Sequence, residues 1–292
     1  MHIPVLLQEV VEGLAPKRGE VILDATVGGG GHSEALCVAM GGEGTIVCLD
    51  EDEDAIERSR ERLTSCGCRF LFSRTNFRNL DIALASFGIA EVNRAIADLG
   101  LSSFQLEESR RGFSFQSNEP LRMTFRKEGA DLDAETIVNE WSEETLRTIL
   151  HGYADESNAR RIAGAIVEAR GRKRIVSSKE LADIILKVVH RRGKIHPATK
   201  TFQALRIAVN DEFRALEEAL PKMFASLSNG GRLAVISFHS MEDRMVKRYF
   251  KELEKQGVGK VQTKRPQVPT DTEMTENPRS RSAKLRIIEK CV

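Results

Sequence analysis

Four consecutive glycines, Gly28–Gly31, separate a predicted strand that ends at Asp24 from a predicted helix that begins at Ser33. Glycine lets a ligand approach the main chain closely, and the first N–H groups of a helix point toward such a ligand. Asp50 ends the second predicted strand, about 20 residues further on, where a carboxylate can accept hydrogen bonds from ribose hydroxyls. This arrangement predicts a site for a nucleotide-type ligand.

Three ligand classes are compatible with such a loop. A P-loop requires Gly-Lys-Ser/Thr after the glycines, whereas this chain has Gly-Gly-His-Ser, so a nucleoside triphosphate is disfavoured. A dinucleotide fingerprint that starts at Gly28 and Gly30 meets Ser33 in place of its third glycine, which weakens the case for a nicotinamide dinucleotide. The third class is S-adenosylmethionine, whose methionine part carries no phosphate and would lie along the glycines while the adenosine uses Asp50.

Other polar or aromatic residues follow the predicted strands at the edge of the sheet where ligands bind in doubly wound folds. They are Asp24, Asp50, Asn76, Phe77, Asp98 and the segment 237–239. Phe77 is a candidate to pack against an adenine ring, although a Phe at a helix start is commonly a core residue. His32 is either a ligand contact or a packing residue at the helix terminus. Asp98 is either a ligand contact or a helix cap.

The elements that position these residues alternate along the chain. Short apolar runs predict strands at 20–26, 44–50, 69–74, 93–100, 231–238 and 283–290. Helical patterns predict helices at 33–40, 52–64, 77–87, 211–228 and 241–255. Such alternation predicts an α/β fold in which helices cover both faces of a largely parallel sheet.

The stretch from residue 107 to 206 is helical in pattern and contains no strand-like run. It is too long for a connection between two strands, so it predicts an inserted all-helical domain, with 1–106 and 207–292 forming the sheet domain. On a chain of net charge +1, residues 157–206 hold 13 Lys and Arg against 3 Asp and Glu. Clustered cations favour a polyanionic partner, and a solvated helical surface is the alternative.

The sequence pattern disfavours a membrane-spanning protein, a secreted protein and a metal-binding protein. No apolar run approaches the roughly 20 residues that a membrane-spanning helix needs. The first residues lack the charged leader and continuous apolar core of a signal peptide, so a cytoplasmic location is expected. The five cysteines are odd in number and form no Cys/His cluster with ligand spacing, so no metal site is predicted.

Six long segments together resemble one known family. They are HIPVLLQEVVEGL, DATVGGGGHS, IADLGLSSFQLEESRRGFSF, HPATKTFQALRIAVNDE, GGRLAVISFHSMEDRMVKRYF and NPRSRSAKLRIIEK. In this order, from residue 2 to residue 290, they resemble the bacterial 16S ribosomal RNA (cytosine-N4)-methyltransferase family. Their length and order make this resemblance far more specific than the glycine motif alone.

The resemblance implies a class I methyltransferase fold, a Rossmann-like doubly wound sheet, with the insert serving for substrate RNA recognition. S-adenosylmethionine is the implied cofactor, and the implied target is the N4 amine of one cytosine in the decoding region of 16S rRNA. Carried over position by position, the cofactor contacts fall on Gly30, Gly31, His32, Asp50, Phe77, Asp98 and Gln105. Two departures stand out: Phe104 replaces a usual proline, and Arg122 and Arg126 replace two usual acidic residues.

The implied chemistry needs an acceptor for a proton, because the lone pair of a cytosine amine is delocalised into the ring. Asp98 and Ser102 are the candidate catalytic residues. The phosphate contacts expected in the insert are Arg160, Arg161, Arg170, Arg172, Lys173, Arg174, Arg191, Arg192 and Lys194. Two other readings stay open at this point, an NAD(P)-dependent oxidoreductase and a non-catalytic rRNA-binding assembly factor.

Overall fold

The computed structural model describes residues 4–127, 129–189 and 196–291. The chain divides into two compact units, one formed by Met1–Gly100 with Phe213–Val292 and the other by Leu101–Glu212. The sequence placed the limits of the helical insert at 107 and 206, a few residues inside the smaller unit. None of the helices in the described ranges is both long and apolar enough to cross a membrane.

The larger unit is built on a seven-stranded sheet, which confirms the predicted α/β fold. Its strands are β1 (Val21–Asp24), β2 (Thr45–Asp50), β3 (Arg69–Arg74), β4 (Val92–Asp98), β5 (Leu227–Ser237), β6 (Gly259–Val261) and β7 (Lys284–Lys290). They lie in the order β3-β2-β1-β4-β5-β7-β6. Strands β1 to β5 are parallel, and β7 runs antiparallel to both β5 and β6. The order reverses direction between β1 and β4, the position at which doubly wound sheets bind ligands.

Helices cover both faces of this sheet. They are α1 (Leu7–Leu14), α2 (Gly31–Ala39), α3 (Glu53–Leu63), α4 (Leu80–Ser86), α11 (Glu212–Ala225), α12 (Ser240–Lys255) and the short α13 (Asp271–Glu276). Successive side chains of a strand point to opposite faces. Ile22 and Ile46 therefore pack with α1, α2 and α3, whereas Leu23 and Val47 pack on the other face with α4, α11 and α12. Burial on both faces explains why these strands are continuous apolar runs.

The smaller unit contains six helices within the described residues. They are α5 (Ser103–Glu107), α6 (Ala134–Glu140), α7 (Glu143–Ala154), α8 (Ala159–Arg172), α9 (Ser178–Val188) and α10 (Thr199–Asn210). Its own apolar core includes Leu146, Ile162, Leu181 and Phe202, contributed by α7 to α10. Its described β pairing is a single bridge between Pro120 and Ser177.

Candidate active site

The glycine loop is fastened to the end of β2 through Asp50. The N–H of Gly28 donates to Asp50 Oδ2 at 3.0 Å, and the N–H of Asp52 donates to Oδ1 at 2.9 Å. Gly28 and Gly30 have φ angles of 51° and 77°, which favour glycine. Helix α2 begins directly after Gly30, whose lack of a side chain leaves the helix without a side-chain cap. The first N–H groups of α2 are therefore available to a ligand.

The four glycines of the loop have different surroundings. A Cβ on Gly31 would lie 2.3 Å from Cγ of Pro4, and one on Gly30 would lie 3.3 Å from Cβ of Ser59. These two positions lack side chains because neighbouring protein atoms occupy the space. A Cβ on Gly29 would meet no atom within 4 Å. The face of the loop that is open to a ligand is thus the main chain at Gly28 and Gly29, directly before the predicted contacts.

Asp50 is only partly exposed, and enclosure raises its pKa from 3.8 to about 7. Its two backbone hydrogen bonds act in the opposite direction but do not offset that effect. Each carboxylate oxygen accepts one of these bonds and keeps a further lone pair. Asp50 can therefore accept hydrogen bonds from a vicinal diol, as expected for a ribose.

Asp24 has a structural role in the loop. Its carboxylate is buried, which raises its pKa, and it accepts a 2.6 Å hydrogen bond from the hydroxyl of Ser33. The bond joins the end of β1 to the first turn of α2. Ser33 is the residue that interrupts the dinucleotide fingerprint, and its hydroxyl is used here to satisfy a buried carboxyl group.

His32 and Asp98 come together beside the glycine loop. His32 Nε2 lies 3.4 Å from Asp98 Oδ2, and the N–H of Asp98 donates to Thr26 Oγ1 at 2.7 Å. His32 is 7% exposed. In the part of the chain that the structure describes, both of its ring nitrogens and Asp98 Oδ1 are buried without a hydrogen-bond partner. Buried polar atoms are normally satisfied, so these three atoms mark a position for a polar ligand.

Phe77 follows β3 in a short 3-10 turn, Phe77–Asn79. It is partly buried and packs against the core on the face of α4, α11 and α12. The preceding segment is held to β2, because the N–H of Thr75 donates to the carbonyl of Asp50 at 2.9 Å. Phe77 therefore follows the end of β3 near Asp50, and its ring packs on the core, as one of the two alternatives from the sequence expected. Its contact with an adenine ring stays a prediction.

Ser102 and Gln105 belong to the smaller unit and bond to each other. Ser102 Oγ accepts from the N–H of Gln105 at 3.2 Å, and Gln105 Oε1 accepts from the N–H of Ser102 at 3.0 Å. This reciprocal capping box starts α5 and fixes the buried Gln105 side chain. The start of the helix is thus defined even though Phe104 replaces proline. Arg122 and Arg126, the other departures, are both exposed.

A model of the MraW methylase family matches residues 1–291. The chain belongs to this family. The ribosomal RNA small subunit methyltransferase H of Heliobacterium modesticaldum is 44% identical over 311 residues, covering 99% of this chain and 98% of that protein. The protein of the same name from Persephonella marina is 44% identical over 296 residues, covering 99% of each. The counterpart from Clostridioides difficile is 38% identical and covers 99% of this chain and 98% of its own.

Membership of the MraW methylase family confirms the resemblance inferred from the motifs and disfavours the oxidoreductase alternative. In this methylase no group of three or more His, Cys, Asp or Glu side chains is arranged to hold a metal ion, within the ranges that the structure describes. The polar residues that the structure places at the carboxyl edge of the sheet include Asp50, His32, Asp98 and His239, together with the main chain of the glycine loop.

The cations predicted to contact phosphates differ in their surroundings. Arg160 and Arg161 are exposed in the first turn of α8. Three others pair with acidic groups of their own unit: Arg172 with Glu168, Lys173 with Glu180, and Arg174 with Glu135 and Glu140. Arg170 donates to the carbonyls of Val138 and Trp141. Arg191, Arg192 and Lys194 lie outside the described residues.

Two contributors to the site of this methylase were not predicted. Thr26 holds the backbone of Asp98, and Pro4 packs on Gly31. Thr26 lies within the quoted glycine motif, two residues after β1. Its position next to a strand end could therefore have predicted a role in the site. The contact between Pro4 and Gly31 joins two segments that are separate in sequence, and no local pattern indicates it.

Proposed function

We propose that this chain transfers the methyl group of S-adenosylmethionine to the exocyclic N4 amine of one cytosine in the decoding region of 16S rRNA. The observation that carries the proposal is the family match over residues 1–291, together with relatives named as ribosomal RNA small subunit methyltransferases that align over nearly their whole length. The choice of a cytosine amine rests on the ordered motifs of the family.

The residues at the carboxyl edge fit this cofactor. Asp50 offers two acceptor oxygens for ribose hydroxyls, and the open main chain at Gly28 and Gly29 suits a ligand part without phosphate. His32 presents two buried, unpartnered ring nitrogens within the described residues, with Asp98 Oδ2 beside one of them, and this arrangement suits a charged amino-acid group. When bound, S-adenosylmethionine supplies a methyl group on a sulfonium, a reactive electrophile. Gly30, Gly31, Phe77 and Gln105 complete the proposed cofactor contacts.

Asp98 is the proposed acceptor for the amine. A cytosine N4 amine gains nucleophilicity when a hydrogen-bond acceptor polarises its N–H, and the released proton is then held at a carboxylate oxygen. Asp98 Oδ1 is buried and unpartnered in the described chain, while Oδ2 faces His32, so the two oxygens have separate tasks. Ser102 is the second candidate, although its hydroxyl oxygen already accepts the N–H of Gln105. The remainder of the rate comes from positioning.

The smaller unit is proposed to hold the RNA. A base inside a structured RNA must be displaced from its neighbours to reach an active site. Arg160, Arg161, Arg172, Lys173, Arg174, Arg191, Arg192 and Lys194 are the proposed phosphate contacts. Exposed ion pairs such as that of Arg174 with Glu135 are weak because water screens them, so they can yield to a phosphate. The small ribosomal subunit is the proposed partner, and the cytoplasm the proposed location.

The test is incubation of small ribosomal subunits that lack the mark with isotopically labelled S-adenosylmethionine, followed by mapping of the labelled nucleotide. We expect label on the N4 of one decoding-region cytosine. Asp98→Asn is the matched variant, because it keeps the shape of the side chain and removes the carboxylate. Label at another position would overturn the substrate assignment. RNA binding without any label would favour the non-catalytic assembly factor.

A further inference from the structure

Helix α12, which belongs to the larger unit, carries a stripe of five exposed cations. They are Arg244, Lys247, Arg248, Lys251 and Lys255. At about 3.6 residues per turn, these positions fall within roughly 100° of the helix circumference. Val246, Phe250 and Leu253 lie on the opposite side and are buried in the core. The stripe is therefore the solvent face of an amphipathic helix.

These cations are free of acidic partners in the described chain. Of the five, Arg244 contacts a neighbouring side chain in the described residues: its Nη1 lies 3.6 Å from Met241 Sδ. The two exposed acidic residues of the helix are used elsewhere, because Glu252 accepts from Gln256 Nε2 and Glu254 accepts from the N–H of Val261. The buried Asp243 is paired with Arg286 and Lys284. Within the described residues, no acidic side chain of α12 therefore pairs with a cation of the stripe.

Three other exposed arginines of the same unit have acidic partners. Arg18 pairs with Glu43, Arg74 with Glu53, and Arg214 with Glu218. Residues 244–292 as a whole hold 13 Lys and Arg against 6 Asp and Glu. An unpaired row of one sign repels itself, so its presence favours a partner of opposite charge.

The stripe starts at the edge of the sheet that carries the site. Ile236 of β5 is the partner of Asp98 in the parallel ladder, and α12 begins four residues later, at Ser240. His239 caps the helix by accepting the N–H of Glu242. The twelve residues from Arg244 to Lys255 extend about 16 Å along the helix axis. A row of cations of that length can contact several successive phosphates of one nucleic-acid strand.

We propose that the stripe on α12 is a second RNA-docking surface, which binds the phosphate backbone of the substrate RNA on the larger unit. This inference rests on the proposed function for the identity of the RNA. It assigns to the larger unit, which also carries the cofactor residues, a share of the RNA affinity that sequence reasoning gave to the insert alone.

The test compares two double variants of equal charge change. Arg248→Ala with Lys251→Ala removes two members of the stripe, and Arg18→Ala with Arg214→Ala removes two exposed cations that are paired within their own unit. Binding of a fluorescent 16S rRNA fragment that spans the decoding region is measured by anisotropy over a series of KCl concentrations. Thermal unfolding and S-adenosylmethionine binding, measured by calorimetry, check that both proteins are intact.

We expect the stripe variant to bind RNA about tenfold more weakly, with the slope of log Kd against log salt reduced by about 1 to 2. The control variant should keep the slope of the unmodified protein. Equal slopes in the two variants would overturn the proposal. Binding of each protein to anionic phosphatidylserine vesicles is measured as well. If the stripe variant lost vesicle binding and kept its RNA affinity, the stripe would be a membrane-binding surface and the proposal would also be overturned.

The anisotropy measurement requires no methyl transfer, so the two proposals can fail separately. Stripe-dependent RNA binding by a protein that labels no nucleotide would refute the proposed function and leave the docking surface standing. Label at the expected cytosine with equal RNA binding by both variants would refute the docking surface alone.

Discussion

His32 Nε2 lies 3.4 Å from Asp98 Oδ2, and the other polar atoms of both side chains are buried without partners in the described chain. The two residues are 66 positions apart in sequence and meet because β1 and β4 are adjacent in the sheet. Buried polar atoms are normally hydrogen-bonded, so a polar group of a ligand is expected to complete this pair.

The pair should act as one unit in cofactor binding. We expect His32→Asn and Asp98→Asn each to weaken S-adenosylmethionine binding by about tenfold or more, as loss of a hydrogen bond to a charged group does. The double variant should lose little more than either single variant, because each change removes the same interaction. Isothermal titration calorimetry of the four proteins measures the coupling. Additive losses would show that the two side chains contribute independently.

The pKa of Asp50 predicts a pH dependence of stability. Its pKa is raised from 3.8 to about 7 in the folded chain. Between these values the folded state holds a proton that the unfolded state has released, so this group makes the free energy of unfolding fall as pH rises toward 7. Urea unfolding of wild type and Asp50→Asn at pH 5 and pH 8 checks the sign. The stability of wild type relative to the variant should decrease at the higher pH, and an unchanged difference would contradict the prediction.

Two alanine substitutions in the glycine loop, at positions 31 and 29, distinguish an effect on packing from an effect on cofactor binding. Gly31→Ala places a Cβ against Pro4, so we expect a loss of about 1–3 kcal/mol in the free energy of unfolding. Gly29→Ala meets no atom within 4 Å, so stability should be kept while cofactor affinity falls, since the new methyl occupies space open to the ligand. Differential scanning calorimetry with and without S-adenosylmethionine distinguishes the two effects. Equal affinities for Gly29→Ala and wild type would place the ligand elsewhere.

Glu273 is expected to anchor the segment that packs on the glycine loop. The N–H of the buried Leu6 donates to Glu273 Oε1 at 2.8 Å, and Leu6 has a φ angle of 52°, a strained conformation for this residue. Glu273→Ala should cost about 1–2 kcal/mol and expose the N-terminal segment to proteolysis. Glu273→Gln keeps an acceptor oxygen and should retain most of the stability. Identical proteolysis rates for wild type and Glu273→Ala would argue against this anchor.

Arg160 and Arg161 predict a sequence-independent contribution to RNA binding. Both are exposed at the start of α8, so replacing both with alanine removes charge without removing core contacts. The slope of log Kd against log salt for the 16S rRNA fragment should fall by about 1 to 2, with cofactor affinity unchanged. Arg147→Ala with Arg214→Ala removes the same charge from sites outside the proposed surface and serves as control. A parallel loss of cofactor binding would indicate a folding defect instead.

The sheet was predictable from sequence because its central strands are buried on both faces and stand out as apolar, β-branched runs. β6 was missed because its three residues carry too little pattern. α1 was missed because the apolar residues 3–7 that lead into it show no helical spacing. The beginning of β5 was assigned to the preceding helix, since Leu227 is followed by Ser, Asn and two glycines, which are unfavourable in strands. There the chain passes from α11 into β5 with a single residue between them.

The sequence predicts the candidate site as a set of residues but not as a geometry. Asp50 and Asp98 were identified because strand ends in a doubly wound sheet share one edge. The contact of His32 with Asp98 depends on strand order and register, and the packing of Pro4 on Gly31 depends on the N-terminal segment. Both are long-range relationships that no local pattern encodes.

The position of β7 has a consequence for synthesis. Residues 284–290 lie between β5 and β6 and pair with both, so β6 cannot join the sheet before these residues have left the ribosome. The helices of the smaller unit are complete at Asn210 and can form while translation continues. A nascent chain should therefore carry a folded helical unit before its sheet closes, and a chain stopped before residue 284 would leave one edge of β5 open to aggregation.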